Sequence, residues 1–404
     1  MLNAFLSVWH VDLLVWCQLV LVGVLALGTA ALTIGGTRAH RSELSVTIAG
    51  LVAVVATLFT DNLAVLVLSF ALSVIAATCL ALHAQRAANA KAQQAILALC
   101  IGSVGVFTVG AALFLKMHMD AGVSSWSALS FGGVAQTLAT SVMNVQLAQW
   151  AFAACAAGIL AAFGMFFMKT RFTSFVGAAA PVVFFIALLR LKQIADSAIG
   201  DDGVWTGNFF LIFGLLMLLS VLVKLVFKKK HQLLSLSSIE HVGLVAFMIG
   251  AGPAGTIPAI LHLGGQAVAH SGLWHAAQDA ASVRSHIAFK YLCGALFASL
   301  LGAPFSILFV SELVGIGYAL QAHLIFALLV FAALAVINVY FVRSVMTLTA
   351  ESTPSEQAPM TRHQKILAGV LAVHILIMFG AGGYLLTQEG IQFAVTVAQN
   401  IASL

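Results

Sequence analysis

His262, Gln266 and His270 stand at four-residue intervals in an otherwise apolar run. On a helix that spacing lines three polar side chains in one stripe. Imidazole both gives and takes a proton near neutral pH, so two of them with an amide between suit a water-bridged relay. The competing use of the stripe is interhelical hydrogen bonding, at ~1–2 kcal/mol per bond in a membrane. Two histidines eight residues apart are too distant to chelate one ion, and no carboxylate shares their face, so no metal site is expected.

Two carboxylates join them. Only 13 residues are acidic, and all but Glu240 and Glu312 fall at the ends of apolar runs or between them. A charge at the bilayer centre costs at least ~2.5–3.5 kcal/mol on insertion scales, so it is usually paired or functional. Glu240, with His241 beside it, is either a station of a proton path or a carboxylate near the headgroups. Glu312 follows Gly302-Ala-Pro-Phe-Ser-Ile-Leu-Phe-Val-Ser. Pro304 removes a backbone donor and is expected to break the helix. Freed carbonyls at membrane depth are tolerated only against protein or a wet cavity. A carboxylate two turns beyond such a break looks like a site, with a structural ion pair as the alternative. Lys169 and Lys224 end apolar runs and read on spacing as anchors that snorkel to the interface. Lys290 lies a turn into a run and is ambiguous.

The elements that must hold these residues follow from composition. Of 404 residues 62% are hydrophobic and 8% charged, and the mean hydropathy is +1.08. Soluble domains carry roughly 25% charged residues. A soluble enzyme, a nucleic-acid binder and a disordered chain are excluded. The runs are ~20 residues long, the length of a helix crossing a ~30 Å hydrocarbon core. They lack the ~10-residue alternation of a membrane β-barrel. The expected fold is all-α and polytopic. Apolar runs near 11–34, 45–60, 62–83, 93–115, 147–168, 174–191, 206–227, 234–251, 255–277, 287–302, 303–320, 322–342 and 364–386 suggest ~12–14 spans. The stretch 123–144 is weakly amphipathic and reads as a surface helix or a poor span.

The net charge of +5 follows from a basic bias on one side of the membrane. Arg38, Arg41, Arg86, Lys91, Lys169, Arg171 and Lys228 to Lys230 collect there, and Asp61, Asp120, Asp196, Asp201 and Asp202 on the other. Lys116, Arg190 and Lys192 are exceptions. The basic side is taken as cytoplasmic, which puts the N-terminus outside. The first run is too long for a cleavable signal and lacks a basic leader. Five cysteines lie singly in apolar runs, with no Cys-x-x-Cys pair. They read as inert buried thiols, with no iron–sulfur, haem or zinc motif. The Gly-rich run 250–255 lacks the Lys-Ser/Thr of a nucleotide loop.

Three motifs in order carry a resemblance. Leu-Leu-Ser-Leu-Ser-Ser-Ile-Glu-His-Val-Gly at 233–243 resembles a signature of the antiporter-like subunits of respiratory complex I, Mrp-type multisubunit sodium/proton antiporters and membrane-bound hydrogenases. Its Ser-Ser-Ile-Glu-His form is most similar to hydrogenase-4 component F, a subunit of formate hydrogenlyase-type complexes. Leu-His-Leu-Gly-Gly-Gln-Ala-Val-Ala-His-Ser at 261–271 resembles that family's His-Leu-x-x-His-Ala-x-x-Lys-Ser helix. Gly-Ala-Pro-Phe-Ser-Ile-Leu-Phe-Val-Ser-Glu at 302–312 resembles its broken helix. The likeness is carried by residues from about 160 to 340.

The resemblance implies a bundle with broken helices and a proton path across the mid-membrane. Lys169 would stand at the first broken helix. His262, Gln266 and His270 would form the central relay, with Glu240 and His241 beside it and Glu312 last. Lys224 and Lys290 are further path candidates. It divides the chain into N-terminal helices over 1–145, an antiporter-like core over 146–343, and a linker with a last helix over 344–404.

The chain departs from the family pattern. Ala71 stands where an early helix has a Glu that pairs with the lysine. Gln266 and His270 replace a His and a Lys, and the Pro-rich loop after the lysine is absent.

The expected function is proton translocation within a complex I-related, hydrogenase-type oxidoreductase of the cell's inner (cytoplasmic) membrane. Its partners would be other membrane subunits and lipid, not nucleic acid. No catalytic residue and no cofactor is expected in this chain. The rivals are a non-pumping structural subunit of such an arm and a secondary cation/proton transporter. The sequence leaves open whether H+ or Na+ moves.

Overall fold

A computed structural model describes residues 23, 41–84, 90–123, 129–140, 144–166, 173–226, 233–278, 286–350, 359–393 and 396. The expected first run, 11–34, and the linker core, 351–358, lie outside the described residues save Gly23, as do Cys17 and Lys169.

The chain is an all-α polytopic membrane protein. Its described helices are α1 (Arg41–Phe59), α2 (Leu63–Ala84), α3 (Ala90–Asp120), α4 (Phe131–Thr140), α5 (Val145–Phe166), α6 (Thr173–Ile199), α7 (Val204–Val226), α8 (Leu233–Gly250), α9 (Thr256–Gln278), α10 (Ile287–Leu300), α11 (Ile307–Ala322), α12 (Leu324–Ala350) and α13 (Arg362–Leu385). Each apolar run from 45–60 onward matches one of them, although α6 and α12 run on to Ile199 and Ala350, well past the runs that end at 191 and 342. Six contain segments long and apolar enough to cross a membrane unaided. The weak stretch at 123–144 yields only α4, ten residues long. At 1.5 Å per residue it is too short to cross. It buries Phe131, Val134, Ala135 and Leu138 and leaves its other face less covered.

The described residues divide into two compact units, drawn from Ala39–Thr206 and from Gly207–Ser403. In the first, α3 packs along α5, and α6 packs on α1, α4 and α5. The α3–α5 approach depends on small residues, as between membrane helices that gain little from the hydrophobic effect. A Cβ on Gly110 would lie 2.6 Å from Ala151 O, and one on Gly158 2.6 Å from Phe107 Cβ. At the turn after α1, Asn62 Oδ1 accepts from the amides of Ala64 and Val65 and caps α2. The backbone amide of Phe131 donates to Asp61 O, fixing α4 to that turn.

The three charges that broke the basic bias are held locally. Lys116 pairs with Asp120, and Lys192 with Asp196. Arg190 donates to Thr60 O and lies over the Phe131 ring, 5.5 Å from its centroid. They serve the turns of this unit.

In the second unit α7 and α8 cross through paired glycines. A Cβ on Gly214 would meet Gly243 O at 2.5 Å, and one on Gly250 would meet Leu211 N at 2.5 Å. The seven-residue spacing of Gly243 and Gly250 keeps both on one face of α8. Around α9 pack α8, α10, α11 and α13, with α12 against α11.

The cysteine expectation holds for Cys100 and Cys155, which are buried, while Cys293 is half-buried. It is corrected for Cys79, which is exposed. An apolar run predicts insertion in the membrane, not which face of the helix turns inward, so a thiol in such a run need not be buried.

Candidate functional site

Three elements of the second unit build the site. α8 carries Ser238, Glu240 and His241. α9 carries His262, Gln266 and His270. α11 carries Ser311 and Glu312. All but Glu312 are buried, His262 completely, and Glu312 is half-buried.

The break before α11 places Glu312. Pro304 was expected to cause it, but the turn is already made by Gly302. After α10 ends, Gly302 takes φ 69°. Ala303 N donates to Ala298 O at 2.9 Å and Gly302 N to Ser299 O at 3.2 Å. These two bonds are the Schellman pattern, which wants glycine in the left-handed position. Pro304 follows where it cannot extend the helix. Ser306 then caps α11, its Oγ accepting from Phe309 N at 3.1 Å. Gly382 of α13 admits the connecting strand: a Cβ there would fall 2.2 Å from Phe305 O. Glu312 folds back over the turn, with Oε2 2.8 Å from where a Cβ on Gly302 would sit.

The hydrogen bonds fix a direction. Ser311 Oγ donates to Leu308 O at 2.8 Å. Its one hydrogen is thereby used, so at 2.9 Å it accepts from His262 Nδ1. That tautomer leaves a lone pair on His262 Nε2, which accepts from His241 Nδ1 at 2.8 Å. His241 Nε2 then keeps a bare lone pair, buried and with no protein partner. A parallel argument holds next to it. Ser238 Oγ donates to Leu234 O at 3.1 Å and so accepts from His270 Nδ1 at 3.2 Å. His270 Nε2 is left buried without a protein partner, as is Gln266 Oε1, while Gln266 Nε2 makes a long 3.5 Å bond to Ser238 O. The rings of His241 and His270 stand edge to face, with centroids 5.9 Å apart.

Three buried acceptors thus end the network with no donor supplied by the protein. A buried polar atom without a partner costs ~1–3 kcal/mol. In native proteins such atoms mark a bound water, an ion or a functional role. A bare Nε2 and a bare amide oxygen are acceptors, so a water hydrogen or a proton would satisfy each of them.

The carboxylates flank this chain. Glu240 and Glu312 lie close enough to interact electrostatically, and two bare charges at this depth would repel. His241, His262 and Glu312 offer atoms all within 4.8 Å of one another, and they are the residues among those described that could hold a metal. The sequence argument against a metal looked along α9 alone, and α11 brings the carboxylate that α9 lacks. The spacing nonetheless favours the hydrogen bond. His241 Nδ1 and His262 Nε2 are 2.8 Å apart, whereas two nitrogens ~2.0 Å from one tetrahedral zinc stand roughly 3.3 Å apart.

Of the residues expected from sequence, Glu240, His241, His262, Gln266, His270 and Glu312 come together on these three helices. Lys224 does not join them; it is exposed in the last turn of α7. Lys290 is half-buried on α10. Sequence reasoning passed over Ser238 and Ser311, which set the tautomers. The signal was present: each stands inside a quoted motif, two residues before Glu240 and one before Glu312.

With the geometry established, comparison with solved structures gives three similar folds. A chain of respiratory complex I from Thermus thermophilus with bound NADH aligns with TM-score 0.74 and 16% identity, over 98% of this chain and 85% of that one. A chain of the Mrp complex from Dietzia sp. DQ12-45-1b aligns with TM-score 0.66 and 15% identity, covering 97% and 84%. A chain of the membrane-bound sulfane sulfur reductase, an archaeal respiratory membrane complex, aligns with TM-score 0.80 and 16% identity, covering 94% and 80%. No family model and no curated protein matches the sequence. The likeness of fold to these three chains covers nearly the whole of this one.

Proposed function

We propose that this chain is a proton-translocating subunit of a complex I-related membrane oxidoreductase, of the group 4 hydrogenase or formate hydrogenlyase type. It sits in the cytoplasmic (inner) membrane among other membrane subunits and carries no redox centre of its own. The supporting observation is the directed chain Ser311–His262–His241, which ends on a bare buried Nε2. A proton given to His241 Nε2 lets His241 release its Nδ1 proton to His262 Nε2. His262 then releases its own Nδ1 proton toward the Ser311 and Glu312 end. The first transfer breaks the Nδ1–H bond of His241 and forms an N–H bond at His262 Nε2; the second breaks the Nδ1–H bond of His262 and forms an O–H bond on the Glu312 carboxylate, and no electron moves. Lys169, outside the described residues, belongs to the same reading as its first station. Lys224 and Lys290 are weaker members.

The test is Glu312→Gln in the complex that co-purifies with the tagged full chain, reconstituted in vesicles under an imposed pH gradient. Proton movement should be lost while the same partners assemble. Unchanged proton movement overturns the reading. A nickel–iron hydrogenase large subunit among the co-purifying chains would fix the type of complex, and its absence would exclude that type.

A second reading, a non-pumping structural subunit, is favoured by one observation. Ala71 stands on α2 where the resemblance calls for a Glu, and the buried polar groups near it, Thr57, Ser69 and Ser73, are hydroxyls.

A further inference from the structure

α9 carries a polar side chain that the site does not use. His275, in its last turn, is 4% exposed, and its Nε2 has no protein partner. Four residues earlier on the same face, Ser271 is buried and its Oγ is also without a partner. α13 packs against α9 and brings His374, 1% exposed. It meets α9 at Gly272, where a Cβ would lie 3.5 Å from the His374 ring. His275 and His374 are near enough to interact electrostatically.

The tautomer of His374 is determined. Its Nδ1 lies 2.7 Å from Val370 O. A carbonyl only accepts, so Nδ1 carries the hydrogen. Nε2 of the neutral ring is then a lone pair, buried and without a protein partner. Two imidazoles from two helices thus each bury an unsatisfied Nε2 in an apolar bundle. On α10 and α11, which also pack against α13, the other titratable side chains include Lys290, Cys293 and Glu312.

We infer that His275 and His374 form a second proton-binding site, a one-sided store that takes up and returns a proton at the Nε2 atoms facing the α9–α13 contact. The inference rests on the proposed proton path and extends it from α9 to α13. A relay histidine must exchange protons at both nitrogens. His374 cannot, because Nδ1 stays bonded to Val370 O. A proton delivered by His275 through a water breaks an N–H bond there and forms one at His374 Nε2, and it leaves by the same atom. A water between the two rings would accept the hydrogen bond of the protonated imidazole, a charge-assisted bond stronger than a neutral one.

The experiment is a proton count on the intact complex in detergent, between about pH 4 and pH 9, where carboxylates and imidazoles titrate. His374→Asn keeps an amide donor for Val370 O and removes Nε2. It should lower the count by one proton per chain. In nitrogen-15 spectra of the histidine-labelled wild type, one ring should gain its proton at Nε2 while Nδ1 stays protonated throughout. An unchanged count in His374→Asn overturns the store. If that variant fails to assemble, the wild-type spectra decide alone, and absence of such a ring overturns it. Loss of proton movement in Glu312→Gln with an unchanged count in His374→Asn refutes the store and leaves the proposed path standing. Unchanged movement in Glu312→Gln refutes the path itself.

Discussion

Ser311→Ala tests the directed chain without touching a titratable group. The hydroxyl accepts from His262 Nδ1 at 2.9 Å and is itself buried. Removing it leaves that N–H without an acceptor, at a cost of ~1–3 kcal/mol. The ring can escape this cost by moving its proton to Nε2. It then faces His241 Nδ1–H, only 2.8 Å away, donor against donor. His241 must reverse as well, and the bare lone pair moves from His241 Nε2 to the opposite end of the pair. The stake of ~1–3 kcal/mol corresponds to roughly 5- to 140-fold in the tautomer equilibrium at 1.4 kcal/mol per tenfold. Nitrogen-15 spectra of labelled histidine in the reconstituted complex should show two rings changing tautomer, and proton movement should fall by a factor in that range. Ser311→Thr, which keeps the hydroxyl, should preserve the wild-type tautomers. Two unchanged rings and unchanged proton movement in Ser311→Ala would mean that the chain has no fixed direction, and the tautomer argument would fail.

Gly302→Ala should cost ~1–2 kcal/mol for the left-handed φ alone. It should also push Glu312 from its place over the turn, so that thermal stability and proton movement fall together; retention of both would show that the carboxylate is free to lie elsewhere. Gly214→Ala overpacks the α7–α8 crossing against backbone atoms of Gly243 and Phe247, and should lower unfolding stability by ~1–3 kcal/mol, read by heat denaturation in detergent. Thr361→Ala removes one half of the capping box with Gln364 at the start of α13, a loss of ~1 kcal/mol without effect on the tautomers of the site. Arg190→Met keeps bulk and loses the bond to Thr60 O, so the α1–α2 turn should exchange its amide hydrogens faster while the second unit is unchanged.

Most of the helices were legible because one physical rule governs them. A backbone inside lipid must satisfy its own hydrogen bonds, so each apolar run of sufficient length is a helix. The rule does not say which side of a helix faces protein, and Cys79 was misplaced for that reason. It did not decide α4, which the sequence left as a surface helix or a poor span; Gln136, Thr137 and Thr140 interrupt the apolar pattern there, and the ten-residue helix is too short to cross. In the site, the histidine stripe on α9 was readable from spacing. The approach of Glu312 to His241 and His262 was not, because it depends on how three helices cross. The serines were visible but unremarkable: a serine in a membrane helix ordinarily bonds to its own preceding turn, as Ser73 does with Ser69 O. Ser238 and Ser311 make that ordinary bond too, and it is what turns their remaining lone pairs into acceptors.

That behaviour also separates the two units chemically. In the first, Thr57, Ser73, Thr78 and Ser103 donate to carbonyls of their own helices, and Thr57 and Ser69 meet at 2.9 Å. A hydroxyl can pass a proton, but it does not hold one near neutral pH. In the second, the same backbone-bonded serines stand against imidazoles, which do hold protons, and each serine fixes which nitrogen is left open. Glu240 and Glu312 supply groups that can receive what the imidazoles release. Among the described residues the buried imidazoles are most numerous in the second unit, His241, His262, His270, His275 and His374 on α8, α9 and α13, while His118 on α3 is a single one in the first. If Ala71 removes a charged partner from the first unit, what is lost is the means of driving that chemistry from that side, not the chemistry itself. A subunit that had become purely structural would have no use for buried imidazoles with unsatisfied nitrogens, since apolar side chains of similar volume would pack without the cost of unmade hydrogen bonds.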